Sequence, residues 1–318
     1  FFYLLRLNGG FSKAEVEMEG GRWIWAVAVV GGVVAVVVVG GIVAKFLFKK
    51  KEKVTLLGPS VKISLRLVDK EKITHDSNLY TFALPSNDHI LGLPNGSYVR
   101  LHARIDGENV VRPYTPISLH SDRGYVKFLI KTYRKNVHPN FPAGGKMTQA
   151  LEALTNDSCV DVSGPCGNLV YNGDGCFEIK GSNPRKIHAK RISMICGGSG
   201  LTPMYQLIKA IIMSDTDTTK IALLYANKTE DDILLKDELD KLRDDNPEQF
   251  RVWYTVGSPP SNWPYGVGYV DSRMMEEHIF PAGPDSFALI CGPPPMLQSA
   301  CIPNLKAIGY TPDMYYAF

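Results

Sequence analysis

The strongest constraint on the fold is the alternation of apolar runs with amphipathic segments in the C-terminal part of the chain. The apolar runs are nearly continuous, which is typical of strands that are buried on both faces. The segments between them carry hydrophobic residues at helical spacing. Strands and helices that alternate in this way form a parallel sheet covered by helices. We therefore predict an α/β domain with a Rossmann-like parallel sheet over residues 191–318.

Two glycine-rich turns directly follow apolar runs of this domain. They read CGGSGLTP at 196–203 and CGPPPM at 291–296. Ligands of open parallel sheets bind at the carboxyl ends of the strands, where both turns are expected to lie. Thr202 is predicted to cap a helix, with Pro203 at its first position. A glycine-rich turn alone is also compatible with a structural role, since the spacing is not G-x-G-x-x-G.

Residues 55–170 have a different pattern, with short alternating runs separated by Pro, Gly, Asn and Asp. This pattern is typical of an antiparallel barrel or sandwich. One helix is predicted at 145–154, GKMTQALEAL, where the pair Gly144-Gly145 opens the helix and the free N–H groups favour an anion. The segment 171–190 has little apolar periodicity and is predicted to be a linker.

The stretch RPYTPIS at 112–118 combines groups that suit a nucleotide. Arg112 offers a planar fork for phosphate, while Tyr114 and Thr115 offer an aromatic face and a hydrogen-bonding side chain for a flat heteroaromatic ring. A proline-stiffened edge strand would explain the prolines of this stretch. It would not explain the arginine, tyrosine and threonine together.

A long uncharged run, residues 23–44, precedes both domains. At 1.5 Å per residue it would span roughly 33 Å as a helix, enough to cross a bilayer core of about 30 Å. We predict an N-terminal tail at 1–22 and one transmembrane helix at 23–48. The lysines that follow the run place the rest of the chain in the cytosol by the positive-inside rule. A signal peptide would have a shorter apolar region, and a soluble buried helix would tolerate so much Val and Gly poorly.

Composition excludes several classes of function. A formal net charge of +3 with scattered basic residues does not indicate nucleic-acid binding. It is compatible with a moderately basic docking surface for an acidic protein. The six cysteines show no C-x-x-C pair and no metal-ligand spacing, so neither a zinc site nor a disulfide framework is predicted.

Taken together, the motifs resemble one family. RPYTPIS, FPAGGKMTQ, GGSGLTPM, YANKTEDDILL and CGPPPM follow in that order, and the chain ends on Phe318. In these features residues 55–318 resemble the NADH–cytochrome b5 reductase family of the ferredoxin–NADP reductase superfamily. The resemblance implies an FAD-binding β-barrel domain at 55–170 and an NADH-binding domain at 191–318. Hydride would pass from NADH to the flavin, and single electrons would pass on to cytochrome b5, an acidic haem protein.

The resemblance also implies roles for individual residues. Thr115 would lie nearest the flavin N5, Lys131 would help place the pyridine nucleotide, and Cys291 would orient the nicotinamide. Cys291 has no basic or His neighbour in sequence to activate it as a nucleophile. The predicted FAD contacts are Arg112, Pro113, Tyr114, Thr115, Ile130, Lys131, Tyr133, Gly145, Lys146, Met147 and Thr148. The predicted NADH contacts are Gly198, Gly200, Thr202, Pro203, Cys291, Gly292, Pro293, Pro294 and Met296.

Two positions depart from the family pattern. Gly257 stands where the family commonly has an Asp that would bond the ribose 2′-OH and repel a 2′-phosphate. We expect NADH to be preferred over NADPH, by a smaller margin than such an Asp would give. Tyr98 stands where the family often has a His implicated in a proton route, which does not carry over because a tyrosine does not titrate near neutral pH.

Function and location follow as expectations from the resemblance. The reductase would support lipid desaturation, elongation and sterol metabolism from the endoplasmic reticulum or the mitochondrial outer membrane. One alternative is a flavoreductase of the same fold that serves a quinone or another haem protein. A second is a membrane-tethered scaffold without turnover, which the presence of Arg112, Lys131 and Cys291 disfavours.

Overall fold

The computed structural model describes residues 52–318 except 138 and 140, together with the backbone of three earlier strands. Two compact units divide the chain, Phe1–Glu52 and Lys53–Phe318. The first unit contains one antiparallel sheet of three strands. These strands are β1 (Ser12–Met18), β2 (Gly21–Val30) and β3 (Val33–Val37).

The transmembrane helix predicted at 23–48 was wrong for the part that lies in β2 and β3. Valine is stiff at χ1 and favours strands over helices. The sequence between the paired residues Val30 and Val33 is Gly31-Gly32, which is a common hairpin dipeptide. Residues 38–48 lie outside the described residues. Within the described part of the chain, no helix is both long and apolar enough to span a membrane.

The second unit begins with a six-stranded antiparallel sheet in the order β10-β6-β5-β11-β8-β9. Its alternating side chains bury one continuous core, in which Leu67, Tyr80 and Phe128 are completely enclosed. Strands β4 and β7 form a separate parallel pair. Helix α1 (Lys146–Glu152) follows β10 in the chain. The bounds are β4 (Lys53–Val54), β5 (Gly58–Lys72), β6 (Ser77–Ala83), β7 (His89–Ile90), β8 (Tyr98–Ile105), β9 (Glu108–Tyr114), β10 (Tyr125–Lys131) and β11 (Cys159–Cys166).

Closure of this sheet into the predicted barrel is not confirmed. Strands β10 and β9 stand at the two ends of the strand order and do not pair with each other. A backbone hydrogen bond from Ile117 N to Lys127 O, 2.9 Å, joins the segment after β9 to β10. The sheet is therefore strongly curved at this edge without a continuous ladder.

The segment predicted as a linker contains regular structure. A three-stranded antiparallel sheet is formed by β12 (Leu169–Tyr171), β13 (Cys176–Ile179) and β14 (Arg185–His188). Phe177 and Ile179 alternate with polar residues and are buried in the core of the following domain. The hydroxyl of Tyr171 donates to the carboxylate of Asp217, which fastens this sheet to that domain.

The C-terminal domain has the predicted parallel sheet. All neighbours in the order β18-β17-β16-β15-β19-β20 are parallel. The strands are β15 (Arg191–Gly197), β16 (Lys220–Asn227), β17 (Phe250–Val256), β18 (Gly266–Val267), β19 (Ser286–Cys291) and β20 (Tyr315–Ala317). The chain proceeds from β15 toward β18 on one side and returns to β19 on the other. The strand order therefore reverses between β15 and β19, where ligands of such sheets bind.

Helices connect these strands and cover the sheet. They are α2 (Leu201–Ile212), α3 (Lys236–Asp245), α4 (Ser272–His278), α5 (Pro294–Met296) and α6 (Ile302–Ala307). A π-helical turn, Leu297–Cys301, makes α5 and α6 one continuous helix. Such turns occur frequently at functional sites. This one begins directly after the second glycine-rich turn.

Candidate functional site

The two glycine-rich turns meet at the carboxyl ends of β15 and β19. Cys196 and Cys291 are paired in the register of these strands. A Cβ atom on Gly200 would lie 2.4 Å from the carbonyl oxygen of Cys291, and one on Gly197 would lie 2.6 Å from Met296 Sδ. Real Cβ atoms do not approach other atoms so closely. The backbone of Cys291 therefore leaves room only for glycine at position 200, whereas the neighbour of Gly197 is a flexible methionine side chain. The two turns pack against each other, with Gly200 against Cys291 and Gly197 against Met296.

A buried tyrosine holds the first turn in place. The hydroxyl of Tyr225 donates to Gly198 O at 3.0 Å and accepts from Leu234 N at 3.3 Å. Gly198 has a φ of +53°, which favours glycine, and a Cβ there would meet nothing within 4 Å. The turn is thus fixed from one side and has open space on the other.

The cap predicted for the next helix was wrong. Gly200 is the N-cap and Leu201 is the first residue of α2, because a 3₁₀ turn at Gly198–Gly200 continues directly into the helix. Thr202 donates its hydroxyl to Ser199 O at 3.3 Å, and Pro203 is the third helical residue. No side chain caps this helix, but the Leu201 N–H bonds back into the 3₁₀ turn and Pro203 has no N–H. This end of the helix therefore attracts a phosphate through its dipole.

Cys291 is the residue predicted to orient the nicotinamide, and its thiol is not activated as a nucleophile. Burial raises the pKa of its thiol to about 12. The sulfur is therefore protonated at neutral pH and cannot act as a thiolate nucleophile. Gly292 is half-buried beside it, while Pro293 and Pro294 are exposed, Pro293 as the N-cap of α5 and Pro294 as its first residue.

On the other domain, Arg112, Pro113 and Tyr114 end strand β9, and Thr115 follows. Arg112 is exposed, and its guanidinium donates to Val111 O at 2.8 Å. Within residues 52–318 as described, no carboxylate pairs with it. Tyr114 packs on the domain core, and burial raises the pKa of its hydroxyl. An exposed arginine without a carboxylate partner suits an anionic ligand.

The glycine pair before α1 forms a tight turn against the end of β10. Gly144 has a φ of +67°, and a Cβ there would lie 2.4 Å from Tyr133 O. A Cβ on Gly145 would lie 2.6 Å from Thr148 Oγ1, which accepts from Tyr133 N and donates to Gly145 O. Only glycines allow this close approach.

Three further predicted FAD contacts have other partners. Lys146 forms an ion pair with Glu108, 2.8 Å, and both side chains are largely exposed. Met147 and Ile130 are each 2% exposed and point into the core of the antiparallel sheet. Their side chains are used for packing and are closed to a ligand.

Lys131 forms ion pairs with both domains, a contact that was not predicted from the sequence. Its ammonium lies 2.8 Å from Asp76 Oδ2 and 2.9 Å from Asp232 Oδ1, and the three side chains are 15%, 13% and 9% exposed. Asp76 belongs to the antiparallel-sheet domain and Asp232 to the α/β domain. A second contact across the boundary joins Tyr133 Oη and Ser199 Oγ at 3.2 Å.

The charges of this cluster stabilise one another. Burial by itself would lower the pKa of Lys131, but the hydrogen bonds with Asp76 and Asp232 outweigh it and the net shift is upward. Burial would likewise raise the pKa of Asp232, whereas bonds from Lys131 and Thr229 lower it overall. The sequence does carry one local signal, since Thr229 and Asp232 have the spacing of a capping box, which the structure contains.

Gln206 makes a second link between the domains that sequence reasoning missed. From α2 it accepts from Gly96 N at 2.8 Å and donates to Ser97 O at 3.4 Å, and it is 5% exposed. These two residues immediately precede Tyr98, whose ring lies against Gly167. The helix that begins at the first glycine turn is thereby tied to the antiparallel-sheet domain.

Gly257 follows β17, at the same edge of the sheet as the glycine turns. A Cβ there would meet only Lys228 O, at 3.5 Å, and its φ is not in the left-handed region. Glycine is therefore not required by the backbone. Lys228 follows the neighbouring strand β16, and its backbone oxygen is the atom that lies nearest to this position.

These features fit the two predicted cofactors. The backbone around Gly144 and Gly200 leaves no room for a side chain, and Arg112 offers a charge for phosphate. The paired turns at the reversal of the strand order face a second domain that is fastened across Lys131 and Gln206. This arrangement defines a two-domain oxidoreductase with a flavin-binding and a nicotinamide-nucleotide-binding domain.

Comparisons with known proteins support this class. The oxidoreductase FAD-binding domain family matches residues 64–171, and the oxidoreductase NAD-binding domain family matches residues 194–301. Human NADH-cytochrome b5 reductase 2 is 46% identical over 85% of this chain and 99% of its own length. Rat NADH-cytochrome b5 reductase 3 is 46% identical over 86% of this chain and 92% of its own length.

A solved structure agrees with both relatives. The cytochrome b5 reductase domain of Ulva prolifera nitrate reductase has a TM-score of 0.79 and 41% identity, over 83% of this chain and 99% of that domain. The chain therefore belongs to the NADH-cytochrome b5 reductase family. It is an oxidoreductase that uses FAD and NADH.

Proposed function

We propose that this protein passes reducing equivalents from NADH through FAD to cytochrome b5. The observation that carries the proposal is the approach of the first glycine turn to the antiparallel-sheet domain, where Tyr133 and Ser199 touch at 3.2 Å. When bound, FAD converts a two-electron donor into a source of single electrons, which a haem acceptor needs. The protein itself supplies placement and electrostatics.

Each part of the site has a proposed task. Arg112 and the Gly144-Gly145 turn hold the FAD phosphates, while Tyr114 and Thr115 contact the flavin ring. The uncapped start of α2 receives the NADH phosphates. Cys291, with its protonated thiol, and Met296 form a wall that orients the nicotinamide. Lys131 holds the boundary between the domains and contributes a positive charge for the nucleotide.

The acceptor is tested by NADH-driven reduction of purified cytochrome b5, followed by the haem absorbance. We expect the FAD-loaded enzyme to reduce both ferricyanide and cytochrome b5. An enzyme that reduces ferricyanide rapidly and leaves cytochrome b5 oxidised would contradict the proposed acceptor. It would favour a quinone or another haem protein instead.

The flavin assignment is tested by Arg112→Ala. We expect this variant to lose FAD on gel filtration while it keeps its secondary structure, because a phosphate loses its charged partner. Arg104→Ala removes an equally exposed arginine from neighbouring β8 and should keep its FAD. Full FAD occupancy in Arg112→Ala would refute the phosphate role.

We also propose that the first unit attaches the enzyme to a membrane, with the catalytic domains in the cytosol. The uncharged run at 23–44 and the lysines after it support this proposal. The membrane would be the endoplasmic reticulum or the mitochondrial outer membrane, where cytochrome b5 would use the electrons for lipid desaturation, elongation and sterol metabolism. Carbonate extraction and protease protection of fractionated cells test attachment and orientation, and complete release by carbonate would contradict it.

A further inference from the structure

A second cavity lies at the end of the parallel sheet opposite the glycine turns. It has a volume of about 610 Å³ and opens beside Ser286, the first residue of β19. Small-molecule sites have volumes of about 300–1,000 Å³. Five strand steps separate Ser286 from Cys291, which corresponds to about 16 Å along β19. The cavity is therefore distinct from the candidate site.

The charge of this cavity favours an anion. Strand β14 contributes Arg185, Lys186 and His188 to its lining, whereas the only lining carboxylate within the described part of the chain is Asp313. That carboxylate already accepts a hydrogen bond from the hydroxyl of Thr311 at 2.6 Å. The two permanently charged cations outnumber the single anion.

Two buried polar atoms of the lining have no partner among the described residues. Ser286 is 5% exposed and its hydroxyl is unpaired. Arg185 Nε is also buried and unpaired, while its Nη2 donates to Tyr315 O at 3.4 Å and so fixes the guanidinium. Buried polar groups without a partner are costly and uncommon. Both atoms are closed off in this structure, so the Ser286 hydroxyl and the Arg185 guanidinium would have to turn toward the cavity to bond the oxygen atoms of an anion.

The position of β14 at the edge of its sheet gives a simpler explanation for its charged side chains. Charged side chains on an edge strand prevent pairing with another chain. This accounts for the exposed Lys186 and His188. It does not account for the buried Ser286 hydroxyl or for the unpaired Arg185 Nε.

The remaining wall of the cavity is apolar and includes Ala282, Pro284 and Met314. We propose that the cavity binds a small organic anion, with a phosphate or carboxylate head at Arg185, Lys186 and Ser286 and an apolar body against this wall. The inference does not depend on which protein accepts the electrons.

Phenyl phosphate is a suitable probe, since it combines a phosphate with an apolar body. We expect it to bind the FAD-loaded enzyme in the presence of saturating NAD⁺, as measured by titration calorimetry. Benzoate distinguishes a carboxylate from a phosphate head, inorganic phosphate lacks the body, and benzyl alcohol lacks the charge. Phenyl phosphate and benzoate should bind more tightly than inorganic phosphate and benzyl alcohol.

Three variants locate the binding. Lys186→Gln and Ser286→Ala should each weaken binding of the better probe by about tenfold, through loss of one hydrogen bond to a charged group. Lys220→Gln removes the same charge at the same end of the sheet, outside the cavity, and should bind normally. Ser286→Ala loses only an unpaired hydroxyl, so its Tm should not fall.

Several outcomes would overturn the proposal. They are absence of binding by both anionic probes, equal binding of benzyl alcohol, unchanged affinity in Lys186→Gln and Ser286→Ala, and displacement of the probe by NAD⁺. The last result would assign the probe to the nucleotide site.

Discussion

At the scale of single residues, burial and close packing limit the chemistry and the size of the side chains in the site. The thiol of Cys291 stays protonated because it is buried, and Gly200 lacks a side chain because the carbonyl of Cys291 occupies that space. Gly257 is the opposite case, since nothing in its surroundings demands a glycine. Substitutions at these positions therefore separate chemistry, packing and specificity.

Cys291→Ser tests whether the thiol is a nucleophile or an orienting group. We expect kcat to fall by about tenfold or less, because a slightly misplaced nicotinamide retains most of its alignment. Loss of a true nucleophile would cost several orders of magnitude. Stopped-flow measurement of flavin reduction by NADH distinguishes the two, and a loss near 10⁴-fold would contradict the orienting role.

Gly257→Asp tests the nucleotide preference. The backbone accepts a side chain here, and a carboxylate would repel the 2′-phosphate of NADPH. We expect kcat/KM with NADPH to fall by about tenfold or more while kcat/KM with NADH is kept or improved. Gly257→Asn is the uncharged control. Equal losses of kcat/KM with both nucleotides would show that residue 257 does not distinguish the ribose 2′-OH from a 2′-phosphate.

At the scale of secondary-structure elements, two contacts fasten the nucleotide loop to its surroundings. The first turn lies against the end of β19, and the capping box after β16 presents Asp232 to Lys131 on β10. Both contacts are between elements distant in sequence. Their loss should affect the position of the loop more than the stability of either domain core.

Gly200→Ala tests the packing of the two turns. The added methyl group would lie 2.4 Å from a backbone oxygen, so the turns must separate. We expect kcat/KM for NADH to fall by about 100-fold, since a displacement of about 1 Å has that effect on aligned groups. Gly283→Ala is the control, because its Cβ would lie 3.5 Å from the flexible end of Arg191. Normal kinetics in Gly200→Ala would refute the close packing.

Asp232→Asn tests the link between the domains. Loss of a charged hydrogen bond of about 1–2 kcal/mol should lower Tm by about 2–6 °C and raise KM for NADH. Asp231→Asn removes the exposed neighbouring carboxylate and should change little. An unchanged Tm in Asp232→Asn would contradict the structural role of the pair.

The pH dependence of the same pair has a definite sign. The pKa of Asp232 is lowered in the folded protein, so the stabilisation is present above the unfolded pKa, near 4, and is lost as pH falls through the lowered folded value. The Tm difference between the wild type and Asp232→Asn should therefore shrink below about pH 4. A difference that grew on acidification would contradict this assignment.

At the scale of the whole molecule, sequence patterns predicted the features that depend on residues close together in the chain. The parallel strands and both glycine turns were correct, since burial periodicity and glycine positions are written along the chain. The pairing of Lys131 with Asp232 was not predictable, because 101 residues separate them. The strands within 171–190 were missed because their few apolar residues, such as Phe177, become informative only against the core of the next domain.

The first unit gives a further lesson about competing preferences. A run of valine and glycine that is long enough for a membrane helix also has the composition of a β-hairpin. Length favoured the helix, whereas side-chain branching favours the strands β2 and β3 that the structure contains. Hydropathy alone could not decide between them, because both interpretations use the same apolar residues.

The position of Lys131 between Asp76 and Asp232 has a thermodynamic consequence. If the Lys131 ammonium contacts the nucleotide as proposed, the nucleotide and the Asp232 carboxylate both interact with the same positive charge. Binding and the domain contact are then linked, and the linkage must be reciprocal. A substitution that changes the strength of the domain contact by some factor will change nucleotide affinity by a related factor, even when it lies far from the nicotinamide.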